Sequence, residues 1–383
     1  MKPLVKPLVV DVETTIYEKG NPFSQRNRLC YHGAYPEGGS VAIGDATQLS
    51  DFQRQVTTST LLVGFNIKFD LHWLRRSGVV GLDRRIWDCQ IAHFLLTAQR
   101  HVLPSLNEVC AEYGIKGKTG SLDERYWAFG IDTPEIPRKE VEEYLEGDLR
   151  STMEVYQKQR SELSASPKLL NLFRLHMQDL LVLAEMEWNG LKLNIERTDE
   201  LAEQTKQRLA EIEKTLGASY PTVPINWNSG DQLSAYLYGG VVEVDRKEPD
   251  GFYKSGLKAG QMKLKTVTDR HVLPRLVEPY KGSELKKADL EAGTGPWSVA
   301  EDVLTQLKKI PQVALLLERA KLSKLLDYLK GFPELLATKD WPDNTLHGQY
   351  NQAIARTGRL SSSSPNLQNL PDQVLGLIET RYV

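Results

Sequence analysis

Cysteine is scarce in this 383-residue chain, and the three present, Cys30, Cys89 and Cys110, lie far apart with no CxxC pair. That argues against a disulfide scaffold or a zinc finger and suits a reducing compartment. Long apolar runs are missing too. No stretch approaches the ~20 residues a membrane span requires. The N-terminal apolar run is broken by Pro3 and Pro7 and followed by acids, so it is no signal peptide. Nor is there an excess of one charge: 48 basic against 50 acidic residues leave a formal −2. This excludes a polycationic, histone-like protein, but not nucleic-acid binding through a local patch. No repeat of fixed period occurs, and four serines at 361–364 are the only local bias. What is present, 40% apolar and 26% charged residues, is ordinary globular composition. At roughly 150 residues per domain the length suits about two to three domains. The expectation is a soluble, intracellular, multi-domain protein with no membrane segment.

Residues 4–12 are apolar and β-branched, which suits a buried central strand beginning after Pro7. A second strand is expected at 61–66, then helices from Asp70, over 88–96 and over 140–160, where Val141, Leu145, Leu149, Thr152 and Val155 recur at helical spacing. Strands alternating with helices predict an α/β layer for about 1–160. Amphipathic helices follow over 168–190 and 198–217, each closed by a glycine, and again over 298–309 and 312–332. Residues 239–297 are rich in Gly and Lys and show no clear period.

Asp11 and Glu13 stand two apart at the end of the first strand, so alternation puts both on one face. Most isolated DxE pairs are solvated strand ends. Asp70 falls in the first turn of a helix, where an acid also complements the dipole. Tyr144 and Asp148 are i, i+4 on one helix, bordering the Val141/Leu145/Leu149 stripe. Taken together, four acids on an α/β scaffold form an oxygen-only ligand set that suits Mg²⁺ or Mn²⁺, not zinc. Such a set can hold two ions about 3.5–4 Å apart, the arrangement that serves phosphoryl displacement.

VVDVETT, GFNIKFDLHWL and YLEGDLRSTMEVY resemble the three motifs of the DEDD 3′–5′ exonucleases, in the tyrosine-bearing subclass. The resemblance implies an RNase H-like fold and two-metal hydrolysis at a 3′ end. By position it implies Asp11, Glu13, Asp70 and Asp148 as metal ligands, Tyr144 as the residue that positions water with Glu13, and Asn66 as a substrate contact. Asp88 matches an acid the family often carries, with a structural role left open.

The segment 347–371 is dense in Arg, Ser, Asn and Gln, a chemistry suited to phosphate and sugar, though polar surface loops share it. TGRLSSSSPNLQN resembles the motif by which family A DNA polymerases pass from thumb to palm. The resemblance implies Arg356, Arg359, Ser361, Ser362, Asn366, Gln368 and Asn369 as duplex contacts. EMEWNGLKLN (185–194), INWNSGDQLSAYLYG (225–239) and SVAEDVLTQL (298–307) resemble thumb segments of that family.

The expected architecture is therefore an α/β RNase H-like exonuclease domain with a mixed sheet flanked by helices (1–165). A mainly α-helical thumb (166–345) and the first strands of an incomplete palm (346–383) follow. No DYSQ-like palm motif or fingers helix occurs in the 383 residues. By this reading the chain proofreads with two Mg²⁺ or Mn²⁺ ions and binds single-stranded 3′ ends and primer–template duplex. It leaves polymerisation to a second chain carrying palm and fingers, or is a truncation. Leu375, Leu377 and Ile378 are expected at an exposed cut edge for such a partner to cover. Nine basic residues against three acids between 254 and 287 give a local +6. That stretch reads as a DNA-binding patch, a flexible insertion, or a dock for a processivity factor across 240–297. Two other readings stay open: a stand-alone DNA- or RNA-trimming exonuclease, and a non-catalytic duplex-binding assembly subunit.

Overall fold

The structure, a computed structural model, describes residues 6–117, 122–280 and 297–380. Contacts divide the chain into two compact units, residues 1–195 with 331–383, and residues 196–330.

The first unit is built on strand β1 (Pro7–Thr14), seven of whose eight residues are buried. Its apolar run is covered on both faces, as a central strand requires. Strands β2 (Leu29–Pro36) and β3 (Ala42–Asp45) extend the sheet on one side, antiparallel. Helix α1 (Leu49–Thr58) leads to β4 (Leu61–Gly64), which pairs parallel with β1. Helix α2 (Ile67–Arg76) and strand β5 (Ile86–Asp88), parallel to β4, complete a mixed sheet of order β3-β2-β1-β4-β5. Helices α3 (Cys89–Leu96), α4 (Leu106–Tyr113), α5 (Leu122–Arg125), α6 (Arg138–Ser164) and α7 (Pro167–Asn189) follow. The expected stripe on α6 is buried: Val141, Leu145, Leu149, Thr152 and Val155 all face inward. A short strand, β6 (Leu191–Leu193), lies between the two long helices expected over 168–190 and 198–217.

The second unit begins with α8 (Ile195–Gly217) and α9 (Gly230–Tyr238), capped by Ser229. Strands β7 (Gly240–Phe252) and β8 (Met262–Leu273) then form a long antiparallel ribbon where no period was expected. Among the described residues the ribbon pairs with no further strand. Only its base is buried, through Val242 and Leu273 against Ala235. Without an apolar face along its length, the usual strand signature is missing. The ribbon also revises the charge count. The +6 covers 254–287, and β7 brings Glu243, Asp245, Glu248 and Asp250 opposite along with Arg246 and Lys247, so residues 240–287 hold eleven bases and seven acids. Arg270 pairs with Glu243 at 3.1 Å and Lys263 with Asp250 at 3.0 Å. Lys281, Lys286 and Lys287 lie outside the described residues.

Helices α10 (Glu301–Gln306) and α11 (Pro311–Lys339) follow, and α11 runs on past Pro333 beyond its expected end at 332. Strands β9 (Thr345–Leu346), β10 (Gln349–Asn351) and β11 (Ser361–Ser363), helix α12 (Asp372–Leu375) and strand β12 (Ile378–Glu379) close the chain. Strand β6 lies between β9 and β12, antiparallel to both. Strand β12 is an edge of this sheet, as expected, but the expected exposure of its apolar residues is corrected. Leu377 is buried and Ile378 pairs with Leu193, so only Leu375 of the three stands exposed. Among the described residues no helix is long and apolar enough to cross a membrane.

Candidate active site

Three elements deliver the acids. Asp11 and Glu13 project from one face of β1, Asp148 from α6 and Asp70 from the first turn of α2. Carboxylate oxygens of Asp11, Glu13 and Asp148 come within 4.8 Å of one another. Asp70 joins them through one amide: the Val12 N–H donates to Oδ1 of both Asp11 and Asp70, each at 3.1 Å. The four acids expected as ligands thus converge although 137 positions separate the first from the last.

Two glycines permit the approach. Gly33 is the cross-strand partner of Asp11, and a Cβ there would lie 2.5 Å from Leu149 Cδ1 and 3.2 Å from Leu145 Cγ. The bare backbone lets α6 settle on the sheet, which brings Asp148 to the strand acids. At Gly64 a Cβ would meet Ile67 Cβ at 2.9 Å, so the turn from β4 into α2 is equally tight. Gly33→Val should force α6 outward, costing about 1–3 kcal/mol of stability. A displacement near 1 Å in a reacting geometry lowers a rate roughly 100-fold. That loss of any acid-dependent nuclease rate, with cooperative melting retained, is the expected result; a wild-type rate would contradict it.

Burial pushes the Asp70 carboxyl well above its ordinary range, and the charges of Asp11 and Glu13 push it further. Buried like charges at this spacing oppose one another, and a divalent cation is the natural neutraliser. The donor set is all oxygen, so the residues fit Mg²⁺ or Mn²⁺. Without metal, folding favours the protonated form between the ordinary carboxylate value near 3.9 and the raised one. Stability therefore falls as pH rises through that window. In chelator at neutral pH, Asp70→Asn should melt about 2–4 °C higher, the shift for roughly 1 kcal/mol. Its Oδ1 can still accept from Val12. Divalent metal should raise the melting point of the wild type more than that of the variant. A variant less stable than wild type in chelator would contradict this account.

Tyr144 borders the acids one turn before Asp148. Burial raises its phenol far above the usual range, and Asp148 and Glu13 raise it further, so it stays a protonated donor. A relay fixes its ring: Trp127 packs edge-on against it at 5.6 Å and donates to Thr133 Oγ1 at 3.1 Å. Thr133 in turn donates to the Thr14 carbonyl at 2.6 Å, at the end of the strand that carries the acids.

Asn66 caps α2 in the left-handed region (φ 58°), its side chain exposed and making no capping bond. It lines a cavity of about 480 Å³ with Lys68, Phe69, Gln90 and Asn351. Asp88 is structural in its contacts. Its buried carboxylate accepts from Gln90 N (2.8 Å), Ile91 N (3.0 Å) and Ile67 N (2.9 Å), pinning the first turns of α3 and α2 together.

Of the expected duplex contacts, Arg356, Arg359, Asn366, Gln368 and Asn369 are exposed and Ser361 is half-buried. Ser362 differs. Its buried hydroxyl donates to the Pro365 carbonyl at 3.3 Å and accepts from Leu367 N at 3.1 Å, shaping the turn from within.

Glu187 drew no attention in the sequence except as part of a motif string. It is 3% exposed and accepts from Lys68 Nζ at 2.5 Å and Tyr350 N at 2.6 Å, with His72 Nε2 at 2.8 Å. It thus ties α2 and α7 to strand β10.

Residues 4–164 match the family described as 3′–5′ exonuclease, and residues 276–381 match DNA polymerase family A. The DNA polymerase I of Chloroflexus aurantiacus is 28% identical over 244 residues, covering 63% of this chain and 21% of that protein. That of Aquifex aeolicus is 24% identical over 388 aligned residues, covering 97% and 55%. The chain therefore spans between about a fifth and about half the length of these relatives. A solved structure titled as the POL domain of Pol1 from M. smegmatis with DNA primer-template and dNTP shares the fold. It has a TM-score of 0.63 and 17% identity, over 96% of this chain and 52% of that one.

Proposed function

Since this chain belongs to the family A DNA polymerases, carrying their 3′–5′ exonuclease domain and part of their polymerase region, we propose that its four-acid site removes 3′-terminal nucleotides from DNA by hydrolysis, as a proofreading nuclease. The observation that carries this reading is the convergence of Asp11, Glu13 and Asp148 within 4.8 Å, with Asp70 bonded to the same strand. Two Mg²⁺ or Mn²⁺ ions held by these acids would activate water and stabilise charge on the attacking and leaving oxygens.

The chain's own residues supply the rest. Tyr144, kept protonated, offers its O–H to orient the attacking water beside Glu13. The exposed Asn66 amide, held by its left-handed backbone, contacts the terminal nucleotide. Arg356, Arg359, Ser361, Asn366, Gln368 and Asn369 contact duplex backbone and minor groove, while Ser362 holds the turn. Nucleotide addition requires palm and fingers residues not among these 383, on this or another chain.

The test is release of deoxynucleoside monophosphates from primers ending in a mispair or a pair, with a ribonucleotide strand alongside. Faster release from the mispaired DNA end is expected. Equal or faster trimming of the RNA would favour the RNA-trimming alternative, and no release from any strand would refute a working nuclease.

A further inference from the structure

A second cluster of metal-ligand side chains stands apart from the acids. His93 lies on α3, His101 in the connection 97–104, and Glu112 on α4. Their ligand atoms all fall within 4.8 Å of one another. Glu112 bridges the pair, with Oε1 at 2.8 Å from His101 Nδ1 and Oε2 at 3.3 Å from His93 Nε2.

The bland account is a surface ion pair. It suffices for His101 and Glu112, which are 47% and 41% exposed, since exposed pairs of this kind are common and weak. His93 it does not explain. That ring is 2% exposed, and its Nδ1 makes no hydrogen bond among the described residues. Nε2 points into the cluster, at the longer of the two Glu112 contacts. A buried imidazole without a well-formed hydrogen bond is uncommon. Burial also lowers its pKa, which favours the neutral form that binds metals.

The connection is bent to bring His101 there. Ala98, Gln99 and Leu103 all have positive φ (53°, 61° and 47°), a region that non-glycine residues rarely adopt. Both flanks are rigid. Gln90 Nε2 donates to the Pro104 carbonyl at 2.8 Å, and a reciprocal Ser105–Glu108 capping box starts α4.

We infer that His93, His101 and Glu112 form a zinc-type metal site, completed by water on the open side, that fastens the 97–104 connection to α3 and α4. Two imidazoles and one carboxylate suit Zn²⁺ and its borderline neighbours, unlike the all-oxygen nuclease set. A tetrahedron with bonds of about 2.0–2.1 Å has edges of about 3.3 Å, against Glu112–imidazole contacts of 2.8 and 3.3 Å and ligand atoms that all lie within 4.8 Å. The site takes no part in hydrolysis. It would brace α3, whose cap Asp88 also holds the start of α2.

The test is Zn²⁺ titration of the full chain in excess Mg²⁺, followed by Co²⁺ substitution and its visible absorption. Wild type and Asp11→Ala should each bind one tight Zn²⁺, and the Co²⁺ form should show the intense bands of a four-coordinate nitrogen–oxygen site. His101→Ala and Glu112→Gln, both at exposed positions, should weaken binding by more than the roughly 10–100-fold that losing an outer ligand partner costs. Unchanged affinity in both ligand variants would overturn the inference. So would absence of tight binding in wild type, or its loss in Asp11→Ala.

Discussion

Replacing Asp11 by alanine should lower the rate of 3′-terminal nucleotide release by at least about 10³-fold while leaving DNA binding within a few-fold of wild type. Bound metal ions contribute several kcal/mol of charge stabilisation in such reactions, and each 1.36 kcal/mol is a factor of ten. Asp11 is central to the set: it lies within 4.8 Å of Glu13 and Asp148, and shares the Val12 amide with Asp70. The substitution removes a half-buried side chain and leaves the amide bonded to Asp70, so the strand should persist. Asp148→Ala should behave alike, because either change leaves only three of the four acids and takes one from the group that lies within 4.8 Å. Tyr144→Phe should be milder, about 10²-fold or less, since it removes a positioning donor and no ligand. Rapid single-turnover release measured beside DNA affinity separates these outcomes. An Asp11→Ala rate within tenfold of wild type would dismiss the site.

Glu187→Ala should be the most destabilising single change in the first unit, by about 3–5 kcal/mol, the usual result of removing one partner from a buried ion pair. His72 and the Tyr350 amide lose their partner together, and Lys68 keeps only the Tyr350 carbonyl, at 2.6 Å. Burial pushes the Glu187 carboxyl up, but the His72 hydrogen bond and the Lys68 charge outweigh it and hold it below its ordinary value. A depressed acid stabilises the fold above its unfolded-state value, near 4.3. That contribution is lost as pH falls from there through the folded value. Wild type should therefore lose stability on acidification below about pH 4.3 more steeply than the variant. Urea melts at neutral and acid pH measure both effects. Glu187→Gln, which can still accept from Tyr350, should fall between. A loss under about 1 kcal/mol at neutral pH would show that the network carries little.

The four converging acids were legible because motif and periodicity agreed. A strand end, a helix start and an i, i+4 pair each predict a local geometry, and the resemblance joined them. What brings α6 onto the sheet was not legible: Gly33 looks like any strand glycine until Leu149 is found above it. The ribbon was missed because period two shows only where one face is buried, and β7 and β8 are buried only at their base. Its charge was overcounted because a linear window omits the strand opposite. Ser362 lies in the motif with its neighbours, yet its hydroxyl turns inward; only the hairpin shows which members face out. His93, His101 and Glu112 follow no spacing rule, since a strained connection brings them together.

The most direct measurement is the product pattern from a 5′-labelled single-stranded DNA incubated with the chain and Mg²⁺, with a chelator control and Asp148→Ala beside it. Shortening by single nucleotides from the 3′ end, with 5′-monophosphates released and both controls silent, is the predicted result. Internal cuts, shortening from the 5′ end, or equal products from Asp148→Ala would contradict the assignment of the four acids as a 3′–5′ exonuclease centre.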